Sequence, residues 1–298
     1  MPTAPQSLEA PAPPRGQRAL GADAGASLIK LAARSAGGDL EFACFPAGAL
    51  EEVAPWIYAF APDCVGLTGG GAPGLARCLG LDTARIDEFE AWATGARALL
   101  GAAGSDTERF LLVSLGTGTS AMLVEPGGVR RVGGTALGGG TVVGLCAALI
   151  GATSFDEAAQ LAARGDRRCV DLLVSDIYRD DDRPLPGEVN ASSFAKLARL
   201  PAAQKAADRD LAHGVMGLVG ENVALICCGL AAATRADRIV FGGTTLCGNP
   251  ALVEILGDIC AGLGRQAIFP SRGEYAGALG ALESSAAAAS SPRDTASR

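Results

Sequence analysis

Residues 111–125 read LLVSLGTGTSAMLVE, an apolar run, a glycine turn and a second apolar run. The same framing occurs earlier, in GADAGASLIKLAARS at residues 21–35. Laying Asp23-Ala24-Gly25-Ala26-Ser27 over Gly116-Thr117-Gly118-Thr119-Ser120 sets a glycine hairpin between two strands in each case. This predicts an internal duplication, with two related lobes that each open on a glycine hairpin. Outward from the hairpins the pattern alternates. Leu40–Phe45 reads as a third strand, Ala49–Ala61 as a helix, Cys64–Leu67 as a buried strand and Ile86–Leu100 as a helix. In the second half, helices are predicted near Phe155–Arg164, over most of Ala202–Ala233, at Pro250–Leu263 and at Tyr275–Leu282. Strands are predicted at Arg238–Phe241 and Ala267–Phe269. Strand–helix alternation of this kind gives an α/β fold.

Composition narrows the classes. With 49% hydrophobic but only 5% aromatic residues, the core must be built from Ala, Val, Leu and Ile. A net charge of −7 argues against nucleic acid or an anionic membrane as the main partner. No apolar run reaches the roughly 20 residues of a membrane span. The nine cysteines include no Cys-x-x-Cys pair and read as reduced core thiols of a cytoplasmic protein. With a single histidine, His213, a zinc site is not expected. Residues 1–17 and 284–298 read as low-complexity tails, leaving lobes at 18–107 and 108–283.

The chemistry concentrates in RRVGGTALGGGTVVGLC, residues 130–146, where six glycines fall within twelve residues. Gly138-Gly139-Gly140 runs into Thr141, Val142 and Val143 at helical spacing. A glycine loop at a helix start places bare N–H groups at the positive dipole end, which suits a phosphate. Arg130 and Arg131 read either as exposed strand residues or as a two-pronged grip on a carboxylate. Asp23 can hold Mg²⁺ and Lys30 can neutralise a transferring phosphate, or the pair is an ordinary surface feature. Gly242-Gly243-Thr244-Thr245 is another strand-end turn suited to a nucleotide. Asp87, Glu88 and Glu90 begin a helix, where acids are commonplace for dipole reasons. Asp180-Asp181-Asp182 reads as a solvated loop.

Taken in order, DAGASLIK, GLTGGGA, DEFEAWATGA, LGTGTS, RRVGGTALGGGTVVGL, GDRRCVDLLVSDIY and VFGGTTLCGNP resemble the type II pantothenate kinases. These belong to the superfamily of acetate kinase, sugar kinases, Hsp70 and actin. The resemblance implies two ribonuclease H-like lobes around a nucleotide cleft, in an actin-like ATPase fold. It implies ATP and Mg²⁺ as cofactors, pantothenate as substrate and a homodimer. It implies Glu88 as the catalytic base, and Arg131, with Gly133 and Thr135, as the pantothenate site. ATP contacts would come from Asp23, Ala24, Gly25, Ala26, Ser27 and Lys30, and from Gly116, Thr117 and Gly118. Further ATP contacts would come from Gly138, Gly139, Gly140, Thr141, Val142, Val143, Phe155, Thr244 and Thr245, with Asp23 on the metal side. Two departures stand out: Ala26-Ser27 where the family has Gly-Thr, and Ser175 where it has Gly. The alternatives are a kinase of the same fold acting on pantetheine or a sugar, and a non-catalytic nucleotide-binding regulator.

Overall fold

The computed structural model describes residues 16–104, 108–179, 185–201 and 204–290. The described chain falls into two compact units. One holds the residues up to Gly95 together with those from Gly277, and the other is Ala96–Ala276.

The first unit is built on β1 (Ala19–Ala24), β2 (Leu28–Arg34), β3 (Leu40–Pro46), α1 (Leu50–Phe60), β4 (Cys64–Thr68), α2 (Ala72–Leu79), β5 (Ala84–Arg85) and the start of α3 (Glu88–Ala102). Its sheet order is β3-β2-β1-β4-β5. β1, β2 and β3 form an antiparallel meander, and β4 and β5 run parallel to β1. Leu20, Leu31, Val53, Ile57, Leu67 and Leu75 fill the core of this unit. Each such side chain contributes about 1.5–3 kcal/mol when fully buried.

The second unit repeats the plan with β6 (Phe110–Leu115), β7 (Thr119–Glu125), β8 (Gly128–Thr135), α4 (Gly139–Ile150), α5 (Phe155–Ala162), β9 (Leu172–Leu173), β10 (Asn190–Ser192), α6 (Asp208–Ala233), β11 (Arg238–Gly242), α7 (Pro250–Gly262) and β12 (Gln266–Ile268). Its main sheet is ordered β12-β11-β6-β7-β8. Again the first three strands form an antiparallel meander and the last two run parallel to the first. The two five-stranded sheets therefore share one topology, and the two glycine hairpins, β1–β2 and β6–β7, occupy the same place in each.

The final helix, α8 (Ala276–Ser290), returns to the first unit. It lies on Gly21 and Gly66, which are register partners on β1 and β4. A Cβ at Gly21 would stand 2.0 Å from the Ala278 carbonyl oxygen, and one at Gly66 would stand 2.1 Å from that of Ala281. Only a glycine saddle admits the helix backbone so close. An Arg34–Glu283 ion pair fastens its far side.

Several expectations differ from the structure. Helix α8 runs through Ser290, so the tail predicted from Ser284 is helical at its start. The division between units falls after Gly95, inside α3, and not near residue 107. Helix α2 and strand β5 have no counterpart in the sequence reading. In α2, Pro73 and Gly74 mask a short helix that tolerates proline only because it stands in the first turn. Helix α6 is 26 residues and is long and apolar enough to cross a membrane, against the expectation that no run reaches that length. More than half of its most apolar window is buried within the fold, so its hydrophobicity serves the core.

None of the nine cysteines is in a disulfide, but Cys44, Cys78, Cys169 and Cys247 are exposed, not core residues. Among the buried thiols, desolvation pushes Cys227 up to about 12. His213 bonds the Gly165 carbonyl through Nδ1 at 2.7 Å. Among the described residues no cluster of three metal-binding side chains occurs. The Asp180-Asp181-Asp182 loop and residues 1–15 and 291–298 lie outside the described residues.

Candidate active site

In the first unit the end of β1 gathers a compact polar group. Asp23 is paired in register with Lys30 on β2 and with Thr68 on β4, so the three side chains leave the same face of the sheet. Lys30 Nζ bonds Asp23 Oδ2 at 2.9 Å, and both side chains are nearly closed to solvent. Its ammonium also stands 5.8 Å from the centre of the Trp92 ring on α3, a cation–π distance. The Thr68 hydroxyl is fully buried and has no hydrogen-bond partner among the described residues. Gly69, at φ 85°, turns the chain directly beneath Asp23, where a Cβ would lie 2.9 Å from Oδ1. Ala26 and Ser27 are exposed at the tip of the hairpin.

Glu88 opens α3 beside this group. The Asp87 carboxylate accepts from the Phe89 and Glu90 N–H groups and so starts the helix. The Glu88 pKa is raised, first by desolvation and then by the Asp23 charge, with Asp87 adding to the effect. Lys30 and Arg85 pull the other way without cancelling it. A carboxylate held above its ordinary range is a stronger base once ionised.

In the second unit three loops meet. The Thr245 hydroxyl bonds the Gly116 carbonyl at 2.9 Å, and the Gly139 N–H bonds the same carbonyl at 2.8 Å. The Gly140 N–H bonds the Thr117 carbonyl at 3.0 Å, and the Gly138 N–H bonds Thr141 Oγ1 at 3.3 Å. This corrects one expectation. The N–H groups of Gly138, Gly139 and Gly140 are not bare, because the β6–β7 hairpin and Thr141 engage them. The glycines are there for close approach: Cβ atoms at 138, 139 and 140 would fall within 3.0 Å of Gly118, Thr245 and Thr117 respectively. The positive end of α4 still faces this cluster.

Val142 is in the core, so any ligand contact there runs through its backbone. Phe155 opens α5 and packs on the core at the far end of α4 from Thr141. Thr244 and Thr245 sit on the turn after β11, and buried Asn249 steadies it. Asn249 Nδ2 donates to the Thr245 carbonyl, while its Oδ1 caps α7 through the Leu252 N–H. The sequence reading passed over Asn249, although Asn-Pro before an apolar run is a helix-start signal. Beside this turn lies a cleft of about 150 Å³, lined by Phe241, Gly243, Leu246, Cys247 and Phe269 among others.

A bulge follows the arginine pair on β8. The β7–β8 register shifts between Ala121↔Gly133 and Met122↔Arg131, leaving Val132 unpaired. Arg131 therefore opposes Met122 while Arg130 opposes Leu123, and the two leave opposite faces of β8. Arg131 Nε donates to Ser120 Oγ at 3.2 Å, which aims it along the first turn of β7. Thr135 closes the strand opposite Thr119, and its hydroxyl accepts from the Leu137 N–H.

The segment just after α5 is anchored by ion pairs. Arg167 bonds fully buried Asp171 at 2.7 Å and pairs with Glu221 of α6 at 3.0 Å, while Asp171 also takes the Phe194 N–H. The Ser175 departure is quiet. Its neighbour Asp176 pairs with Lys196, which, with the Leu173 N–H, lowers the Asp176 pKa.

The Fumble family model matches residues 23–284. The chain belongs to the Fumble family. Among curated relatives, the type II pantothenate kinase of Oceanobacillus iheyensis is 33% identical over 272 residues, covering 89% of this chain and 99% of that protein. The type II pantothenate kinase of Staphylococcus haemolyticus is 32% identical over 263 residues, covering 88% and 98%. Solved structures share the fold at low identity. The activator of the 2-hydroxyisocaproyl-CoA dehydratase from Clostridium difficile, with bound ADPNP, superposes with TM-score 0.65 at 16% identity, covering 94% of this chain and 98% of that one. A glucokinase of the ROK family from Streptomyces griseus, in complex with glucose and AMPPNP, gives 0.58 at 14%, covering 90% and 99%. This member of the Fumble family thus has the actin-like α/β fold expected of it.

Proposed function

We infer that the protein is a type II pantothenate kinase, which transfers the γ-phosphate of ATP to the primary hydroxyl of pantothenate and so opens coenzyme A synthesis. The observation that carries this reading is the match to curated type II pantothenate kinases along nearly nine tenths of the chain. The geometry supports it. Glu88 is a carboxylate of raised pKa, placed to accept the hydroxyl proton during in-line transfer. Arg131, aimed by the Val132 bulge, supplies the charge-assisted grip for the pantothenate carboxylate, with Gly133 and Thr135 beside it on the strand. Each unit offers its own glycine hairpin to phosphate, the second unit adding the Gly138–Thr141 loop, and Thr244 and Thr245 suit the nucleoside. Lys30 offers its ammonium to the transferring group.

Mg²⁺ fits a site with one protein carboxylate, since it keeps waters and phosphate oxygens as most of its ligands. Asp23 would hold it, directly or through water, and the ion would neutralise charge on the phosphates. Helix α6 exposes Leu225 and Ile226, apolar side chains that a second copy would cover in a homodimer. We place the enzyme in the cytoplasm, where ATP and reduced thiols coexist.

The test is direct. Purified protein with Mg-ATP is given pantothenate, pantetheine or a sugar, and ADP release is followed. Stimulation by pantothenate, with a phosphorylated product by mass, is the expected result. Stimulation by another alcohol alone refutes the assigned acceptor, and nucleotide binding without transfer to any acceptor refutes the enzyme.

A further inference from the structure

We propose that Thr68 is a positioning residue for the Asp23–Lys30 pair: when Lys30 moves onto the transferring phosphate, the Thr68 hydroxyl replaces it as hydrogen-bond donor to Asp23. The inference rests on the kinase reading above and adds to it a residue with no role in that reading.

Three observations carry it. Asp23 is buried, and its ion-pair partner is Lys30. A buried carboxylate that loses its partner must find another donor or cation or bear the full cost of burial, and Mg²⁺ held at one oxygen of Asp23 leaves the other oxygen still to be satisfied. The same lysine is the cation this unit offers to a phosphate, so one ammonium has two demands on it. Next to Asp23, in parallel register and on the same face, Thr68 holds a hydroxyl that is wholly buried and unpartnered among the described residues. Orphan hydroxyls of this kind are rare in folded proteins and call for a reason.

Asp23 Oδ1 lies against Gly69 and Oδ2 against Gly277, both without side chains. Rotation about a single threonine χ1 between staggered wells turns the hydroxyl toward the carboxylate without moving the strand. Glu88 senses both Asp23 and Lys30, so keeping Asp23 in place also keeps the field at the base constant.

The test compares Thr68→Val, which keeps shape and removes the hydroxyl, with Thr68→Ser, which keeps the hydroxyl. Two quantities are measured without any acceptor: the thermal unfolding midpoint, and the Kd of magnesium with a non-hydrolysable ATP analogue by calorimetry. Removing an unpartnered buried hydroxyl leaves the midpoint unchanged or raised. The expected result is therefore a Thr68→Val protein as stable as wild type that binds the nucleotide about ten- to a hundredfold more weakly, the scale of a hydrogen bond to a charged group. Thr68→Ser stays within about threefold of wild type. Wild-type affinity in Thr68→Val overturns the proposal. So does weakened binding that tracks a lowered midpoint, or a serine variant as weak as the valine one. Wild type that binds nucleotide yet phosphorylates no pantothenate sinks the acceptor assignment and leaves Thr68 standing. Wild type that binds no nucleotide takes down both.

Discussion

Replacing Lys30 by methionine keeps most of the apolar stem of the side chain and strands Asp23. The structure sets the scale. The Asp23 side chain is only 5% exposed, and its Nζ–Oδ2 contact is 2.9 Å. Breaking one side of a buried pair costs about 3–5 kcal/mol, mostly as the penalty for an uncompensated charge. Loss of the cation over Trp92 adds about 0.5–2 kcal/mol. Against a typical total of about 5–15 kcal/mol, that is a large fraction of the stability. Asp23→Asn alone is predicted to cost less, because the longer lysine stem lets Nζ swing toward the ring and solvent. The double variant, with no charge left to strand, should recover at least half of the Lys30→Met loss. The assay suits the molecule, since both tryptophans, Trp56 and Trp92, belong to the first unit. Tryptophan fluorescence in a urea titration therefore reads that unit alone, and the cycle gives the coupling between the two residues. A Lys30→Met protein within about 1 kcal/mol of wild type, or a double variant with fully additive losses, refutes the buried-pair account.

Other outcomes can be checked alongside. Glu88→Gln is expected to cut kcat by about 10²–10⁴ while nucleotide affinity holds. The wild-type acid limb of kcat/KM should lie above the ordinary glutamate range, because the raised pKa delays formation of the base; a limb within that range speaks against Glu88. A carboxyl whose pKa is raised on folding contributes stability below its unfolded pKa and loses it as pH rises through the folded one. At neutral pH, then, Glu88→Gln should not lower the unfolding midpoint. Arg131→Ala should cost about 1.5–3 kcal/mol in kcat/KM for pantothenate, and Arg130→Ala, on the other face of β8, well under 1 kcal/mol. Equal losses would refute the assignment of the two arginines to different faces of the strand. Gly66→Ala should lower the first unit's stability by more than 1 kcal/mol, since its Cβ meets backbone 2.1 Å away in α8; a neutral result in the same fluorescence titration would mean that the helix sits further off.

Much of this was legible in the chain. The hairpins at Asp23–Ser27 and Gly116–Ser120 announced the repeat because apolar strands flank each glycine turn, and two matching sheet topologies answer them. The family resemblance singled out Glu88 and Arg131, which composition and spacing alone left beside ordinary alternatives. What stayed hidden was long-range. Gly21 and Gly66 look like incidental glycines until a helix more than 200 residues later rests on them. The Val132 bulge leaves no mark in the alternation, because β7 is buried nearly throughout and β8 is not. The glycines at 138–140 were read for a ligand when their neighbours are other loops. Thr68 drew no separate reading, since an unpaired hydroxyl is a property of surroundings and not of sequence.

The return of α8 to the glycine saddle has a consequence in time. A ribosome adds about 5–20 residues per second, and domains generally fold as they emerge. The first unit, begun at the N-terminus, cannot close until the 181 residues of Ala96–Ala276 have been made. For roughly ten to forty seconds its β1–β4 saddle is without the helix that belongs on it. A nascent chain truncated before residue 276 should therefore present a protease-sensitive first unit and a second unit already closed, and release of α8 would be the step that closes the first unit.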